Sequence, residues 1–179
     1  MKKLIAAILT LIIILSASVN VLADGTTTLT TTVPAATYTL NIPADQEIAY
    51  AANSTNIGNV TVTDSTGFGR GKNLQVTITY NAFSCDSVNT TIPYIIKPYH
   101  QSDKTNGGIV GALNSGDTFT FAGQSNGTVT ENAKFIFNDE AYEMDYLRVD
   151  ITSENWGKAL AGEYSTIITF TSEVVSSEG

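Results

Sequence analysis

Leu74-Gln75-Val76-Thr77-Ile78-Thr79-Tyr80 decides the fold class. Apolar and polar residues alternate strictly along it. In an extended chain, successive side chains point to opposite faces. Leu74, Val76, Ile78 and Tyr80 therefore share one face, and Gln75, Thr77 and Thr79 the other. Threonine suits the wet face, because its β-branch favours extended backbone while its hydroxyl stays hydrated.

The same period of two recurs on both sides of this stretch. Tyr38, Leu40 and Ile42 form one row, Val60 and Val62 another, and Phe119 and Phe121 a third. Leu147, Val149 and Ile151 follow, then Tyr164, Thr166, Ile168 and Phe170. Ile92–Ile96 and Phe135-Ile136-Phe137 alternate less cleanly. Such runs fit strands covered on both faces, or strands with one exposed aromatic side. The separators are rich in Gly, Asn and Asp, as at Asp64–Gly67, Asn114–Asp117 and Gly123–Gly127. The pattern predicts an all-β, antiparallel β-sandwich of about eight or nine strands, with a closed barrel as the other architecture. Short helical turns are expected at Asp139–Met144 and Lys158–Ala161. The expected core is Leu40, Ile42, Val60, Val62, Leu74, Val76, Ile78, Phe119, Phe121, Leu147, Val149, Ile151, Ile168 and Phe170.

The N-terminus reads as an export signal. Lys2 and Lys3 precede an apolar run from Leu4 to Leu15, and Val21-Leu22-Ala23 offers a cleavage site before Asp24. Residues 1–23 are expected to be a signal-peptide helix, too short and too interrupted for a retained anchor. Residues 24–179 then form a single domain. Its threonine-rich lead-in, 24–33, reads as a frayed terminus or ordinary first strand, or else as a strand offered to another subunit. The expected localisation is secreted or cell-surface, in a bacterium. On that view the four Asn-x-Ser/Thr sequons, at Asn53, Asn59, Asn89 and Asn126, are chance products of composition.

The precursor carries 9 basic and 17 acidic residues. Losing Lys2 and Lys3 with the signal leaves seven against seventeen, a net charge of −10. Such a chain repels phosphate backbones and anionic bilayers, so neither nucleic acid nor, after signal removal, membrane is an expected partner. Cys85 is the one cysteine, so no internal disulfide forms. It reads as a small, partly buried side chain, or as one half of an intermolecular disulfide.

Tyr38-Thr39-Leu40-Asn41-Ile42-Pro43 resembles the opening strand of small exported proteins of Firmicutes. Ala161-Gly162-Glu163-Tyr164-Ser165-Thr166-Ile167-Ile168-Thr169-Phe170 is similar to their closing strand, and to that of spore-coat-U-like and fimbrial-type sandwiches. The resemblance covers both ends of the domain and little of its middle. It implies an immunoglobulin-like β-sandwich on an extracellular structural protein. The chain has no wall-sorting motif, and Trp156-Gly157-Lys158 departs from the Trp-x-Leu wall-binding pattern.

Catalytic signatures are missing. His100 is the lone histidine, and Cys85 stands next to Asp86, which opposes thiolate formation. Gly67–Lys72 mimics a phosphate loop but runs into a strand, and so reads as a flexible turn. Zinc lacks ligands, and no cofactor is expected. Asp139, Glu140, Glu143 and Asp145 gather oxygens that suit calcium, or else form a solvated acidic loop. Tyr99, Tyr142 and Trp156 fit ligand-binding rings near strand ends, or ordinary packing. The expected function is therefore non-enzymatic. One reading is a secreted or cell-surface structural or adhesive module that acts by non-covalent contact and self-assembles by strand addition. The other is a carbohydrate-binding module using those rings with calcium. Its partners would be a protein or glycan on a surface, or copies of itself.

Overall fold

The strand predicted at Leu74–Tyr80 is present, within a longer strand from Lys72 to Tyr80. A computed structural model describes residues 29–32, 35–100, 108–109, 111–137 and 139–177. The signal segment 1–23 lies outside the described residues. The chain divides into two units, Met1–Thr32 and Val33–Gly179. Of the first, only residues 29–32 are described, as exposed chain outside any strand. All that follows concerns the second.

Its strands are β1 (Thr37–Asn41), β2 (Ser54–Gly58), β3 (Thr61–Thr66), β4 (Lys72–Tyr80), β5 (Phe83–Cys85), β6 (Thr90–Ile92), β7 (Ile95–His100), β8 (Gly108–Ile109), β9 (Thr118–Phe121), β10 (Lys134–Phe137), β11 (Glu140–Glu143), β12 (Tyr146–Asp150) and β13 (Ile168–Ser176). One short helix, α1 (Ser153–Gly157), follows β12. The number of strands exceeds the eight or nine expected, because several are fragments of two to four residues. Among the described residues, no helix is long and apolar enough to cross a membrane.

Every strand pairing among the described residues is antiparallel. A five-stranded sheet runs β11-β10-β9-β4-β13, and a four-stranded one β2-β12-β7-β8, while β1-β3 and β5-β6 form separate pairs. Among the described residues both larger sheets have ends, the arrangement of a sandwich rather than of a closed barrel. In the first, Leu74 faces Phe121 and Val76 faces Phe119 across the β4–β9 ladder. Gln75–Thr120 and Thr77–Thr118 occupy the opposite face. The inward set of the second sheet is Ile57, Ile96, Leu147 and Val149. These join Leu74, Val76, Ile78, Phe119, Phe121 and Phe135 in one buried cluster. Each fully buried side chain of this kind contributes on the order of 1.5–3 kcal/mol by leaving water. The two sheets are held face to face by that shared burial.

Four expectations are corrected. Ile42 is 53% exposed, because β1 ends at Asn41 and Pro43 stops the ladder. Leu40, Ile168 and Phe170 are half-buried, since β1 and β13 lie at the margins of the core. The turn expected at Asp139–Met144 is strand β11, which pairs with β10 along its whole length. The helical turn lies at Ser153–Gly157, ahead of Lys158–Ala161, because the Thr152 hydroxyl accepts the Asn155 N–H at 3.1 Å and caps the helix there.

The ambiguous run Phe135-Ile136 resolves by simple alternation. Phe135 is buried and Ile136 is 75% exposed. Phe68, in what reads as a flexible turn, is a fully buried core side chain. Its N–H donates to the Gly127 carbonyl at 2.9 Å, and its ring lies 6.0 Å from that of Tyr38.

Candidate functional site

The ring candidates fall into two separate places. Tyr99 and Tyr146 are directly opposite on β7 and β12, and their rings stack at 4.4 Å with 18° between planes. At the other end of the same ladder Asp150 pairs with Ile95, and the chain leaves there into α1, which carries Trp156. Tyr99 and Trp156 thus belong to opposite ends of β12 and do not form one site.

Tyr142 joins the Tyr99 end. Its ring stacks on Phe135 at 5.8 Å and approaches the His100 imidazole at 6.3 Å. The Tyr142 hydroxyl donates to the Glu140 carboxylate, and this bond to the neutral phenol holds its pKa above the ordinary value. Tyr146 is also raised, through burial first and then its neighbour Tyr99. His100 Nδ1 is 3.5 Å from Asp145 Oδ2, long for a hydrogen bond. Each of these rings already has a partner on one side.

The four carboxylates suggested for calcium do not converge. Glu140 and Glu143 are an odd number of residues apart on β11 and point to opposite faces. Glu140 is taken by Tyr142, and Asp145 stands against His100. Among the described residues, no three histidine, cysteine or carboxylate groups are grouped to hold a metal. Cys85 is buried, with its sulfur 3.1 Å from Ser87 Oγ.

Trp156 lines an open cleft of about 940 Å³. One wall is the β1–β2 connection, with Asp45, Glu47, Ile48 and Tyr50. The other is α1 and the chain after it, with Leu160, Glu163 and Tyr164; Phe83 and Ile92 form the floor. The walls are fixed by hydrogen bonds. Trp156 Nε1 donates to the Ala52 carbonyl at 3.0 Å, which ties α1 to the opposite wall. The Tyr164 hydroxyl is held by Thr90 Oγ1 at 2.5 Å and accepts the Leu160 N–H at 3.1 Å. Ser84 and Ser165 exchange backbone bonds of 2.9 and 3.0 Å. Gly162 sits so close to Cys85 that an added Cβ would lie 2.6 Å from Sγ. The Ala161-Gly162 step of the closing strand motif is thus the tight packing of this wall onto β5.

Tyr50 is 81% exposed, and its ring meets the Trp156 indole edge-on, centroids 5.5 Å apart at 70°. Leu160 beside it is also exposed. Asp45, Glu47 and Glu163 are exposed, and none has an ion-pair or hydrogen-bond partner among the described residues. The described lining contains no lysine, arginine or histidine. Of these features, sequence reasoning singled out only Trp156. Tyr50 lies in a segment without alternation, so its one signal was a lone aromatic in a loop.

Comparison of the chain with protein-family models, with curated proteins and with solved structures finds no match.

Proposed function

We propose that this protein is an exported, non-enzymatic contact module, a secreted or cell-surface structural or adhesive β-sandwich that holds a partner by non-covalent contact. The observation that carries this reading is the Tyr50–Trp156 cleft. It is a concave, aromatic-lined surface whose two walls are tied together by the Trp156–Ala52 hydrogen bond. Rigid walls lose little entropy on binding, and exposed rings contribute large contact area per ordered side chain. An assembly variant is supported by β13, whose outer edge has no strand against it among the described residues. That strand ends the five-stranded sheet, and Val174 on it and Ile167 just before it are exposed. An open edge accepts another chain's strand through backbone hydrogen bonds.

A second reading, carbohydrate binding, is favoured by the bare face of Tyr50, since exposed rings stack on sugars. The test of the leading reading has two arms. Labelled protein is expected to be retained saturably on intact bacterial cells or on immobilised copies of itself, and Tyr50→Ala to weaken retention several-fold. A glycosidase, esterase and protease screen is expected to be blank. Turnover abolished by a single carboxylate or serine substitution would overturn the reading, and so would the absence of saturable retention.

A further inference from the structure

Resting on that contact-module reading, we propose that the Tyr50–Trp156 cleft is a docking groove for a lysine- or arginine-bearing segment of a partner polypeptide. Two features of one surface point to this occupant. The rim carries Asp45, Glu47 and Glu163 with no counter-charge among the described residues. The lining carries Tyr50 on one wall and Trp156 on the other, their rings in edge-on contact.

The charges select the sign of the ligand. Three carboxylates around one cleft, on a chain with 17 acidic and 9 basic residues, repel anionic sugars and acidic peptides. A neutral glycan gains nothing from that field. A cationic side chain gains twice, from the carboxylates at long range and from the rings at contact. A guanidinium or ammonium within about 6 Å of an aromatic centroid is attracted by the ring quadrupole. Its aliphatic stem covers apolar surface on the way, and exposed Leu160 and the floor residue Phe83 provide that surface.

The geometry is set before the ligand arrives. Trp156 cannot swing freely, because Nε1 is bonded to Ala52 and Tyr50 stands edge-on against the indole. Tyr50 leaves its remaining surface to solvent. The groove therefore pays little for ordering on binding.

Trp156 is the one tryptophan in the chain, so its emission reports the groove directly. The probes are short tryptophan-free peptides carrying lysine or arginine next to leucine, the same peptides with glutamine in place of the cation, and neutral chito- and cello-oligosaccharides. The cationic peptides are expected to shift Trp156 emission saturably, with affinity falling about ten-fold from low to high salt as the field is screened. Tyr50→Ala is expected to weaken binding about five-fold or more. The triple change Asp45→Asn, Glu47→Gln, Glu163→Gln is expected to remove the salt dependence. All these positions are exposed, and an unchanged melting temperature verifies that each variant folds.

Equal binding of the glutamine peptides overturns the proposal, and so does binding unaffected by the triple change. Oligosaccharides that shift the emission while peptides do not also overturn it, in favour of the sugar reading, and leave the contact module standing. If no probe binds and Tyr50→Ala also leaves cell retention unchanged, the proposal and the use of this cleft both fail.

Discussion

Lys97 and Arg148 stand directly opposite each other on β7 and β12, two like charges in one cross-strand pair. Such a pair is destabilising alone. Asp150, two residues along the same face as Arg148, resolves it. Its carboxylate accepts from Arg148 Nε at 2.8 Å and Nη2 at 3.0 Å, and meets Lys97 Nζ at 2.9 Å. Asp150→Asn leaves the two cations facing each other, and is expected to destabilise the protein by about 1–3 kcal/mol in urea unfolding. Adding Lys97→Met is expected to recover part of that loss. A double variant no more stable than Asp150→Asn would show that the repulsion is not the cause.

The same carboxylate makes stability depend on acid. Burial pushes the Asp150 pKa up, but the bonds from Arg148, Lys97 and Ser54 outweigh it and hold it below its ordinary 3.8. A lowered folded pKa contributes stability that is fully present above the unfolded value and lost as pH falls through the folded one. Glu154, paired with Lys158, shifts in the same direction. The melting temperature is expected to hold steady down to about pH 4 and to fall below it. The fall is expected to be shallower in Asp150→Asn.

Core substitutions grade with burial. Phe121 is fully buried and pairs with Leu74, whereas Phe170 sits half-buried on the edge strand. Phe121→Ala is expected to destabilise by about 3–5 kcal/mol and Val76→Ala by about 2 kcal/mol. Phe170→Ala is expected to fall clearly below Phe121→Ala. Ile42→Ala, at an exposed position, is expected to stay within about 0.5 kcal/mol of the parent. Chemical unfolding ranks all four.

Gly123 is held against backbone. A Cβ there would lie 1.8 Å from the Lys72 carbonyl oxygen, a contact that only backbone movement relieves. The same glycine's N–H donates to Asn73 Oδ1 at 2.9 Å, so movement also breaks that bond. Gly123→Ala is expected to destabilise by about 2 kcal/mol or more, with Gly157→Ala, in open space, as the mild control.

The Cys85 thiol is buried against Ser87 and Gly162. It is expected to resist a thiol reagent in the native protein and to react fully in denaturant. Native labelling at the denatured rate, or a dimer that dissolves in reductant, would sink this expectation.

What the sequence determined by itself is the facing of the strands. Period-two alternation fixes which side chains share a face, because neighbouring residues of an extended chain point opposite ways whatever lies across from them. That is why Leu74, Val76, Ile78, Phe119, Phe121, Leu147 and Val149 were all legible as core.

Only the tertiary structure decided how deep each face lies and which distant segments meet. Phe170 alternates as cleanly as Val76, yet β13 ends its sheet while β4 is flanked on both sides, so one is half-buried and the other fully. Phe68 has no alternating neighbours and is buried because Tyr38 and the Gly127 carbonyl come to it. Tyr99 and Trp156 look equally available in the sequence, but β12 holds them at its two ends. The cleft itself joins Tyr50, Trp156 and Glu163 from segments that no periodicity links. Side-chain facing is a property of a few consecutive residues. Burial and convergence depend on strand pairing between segments far apart in the chain, which no local pattern encodes.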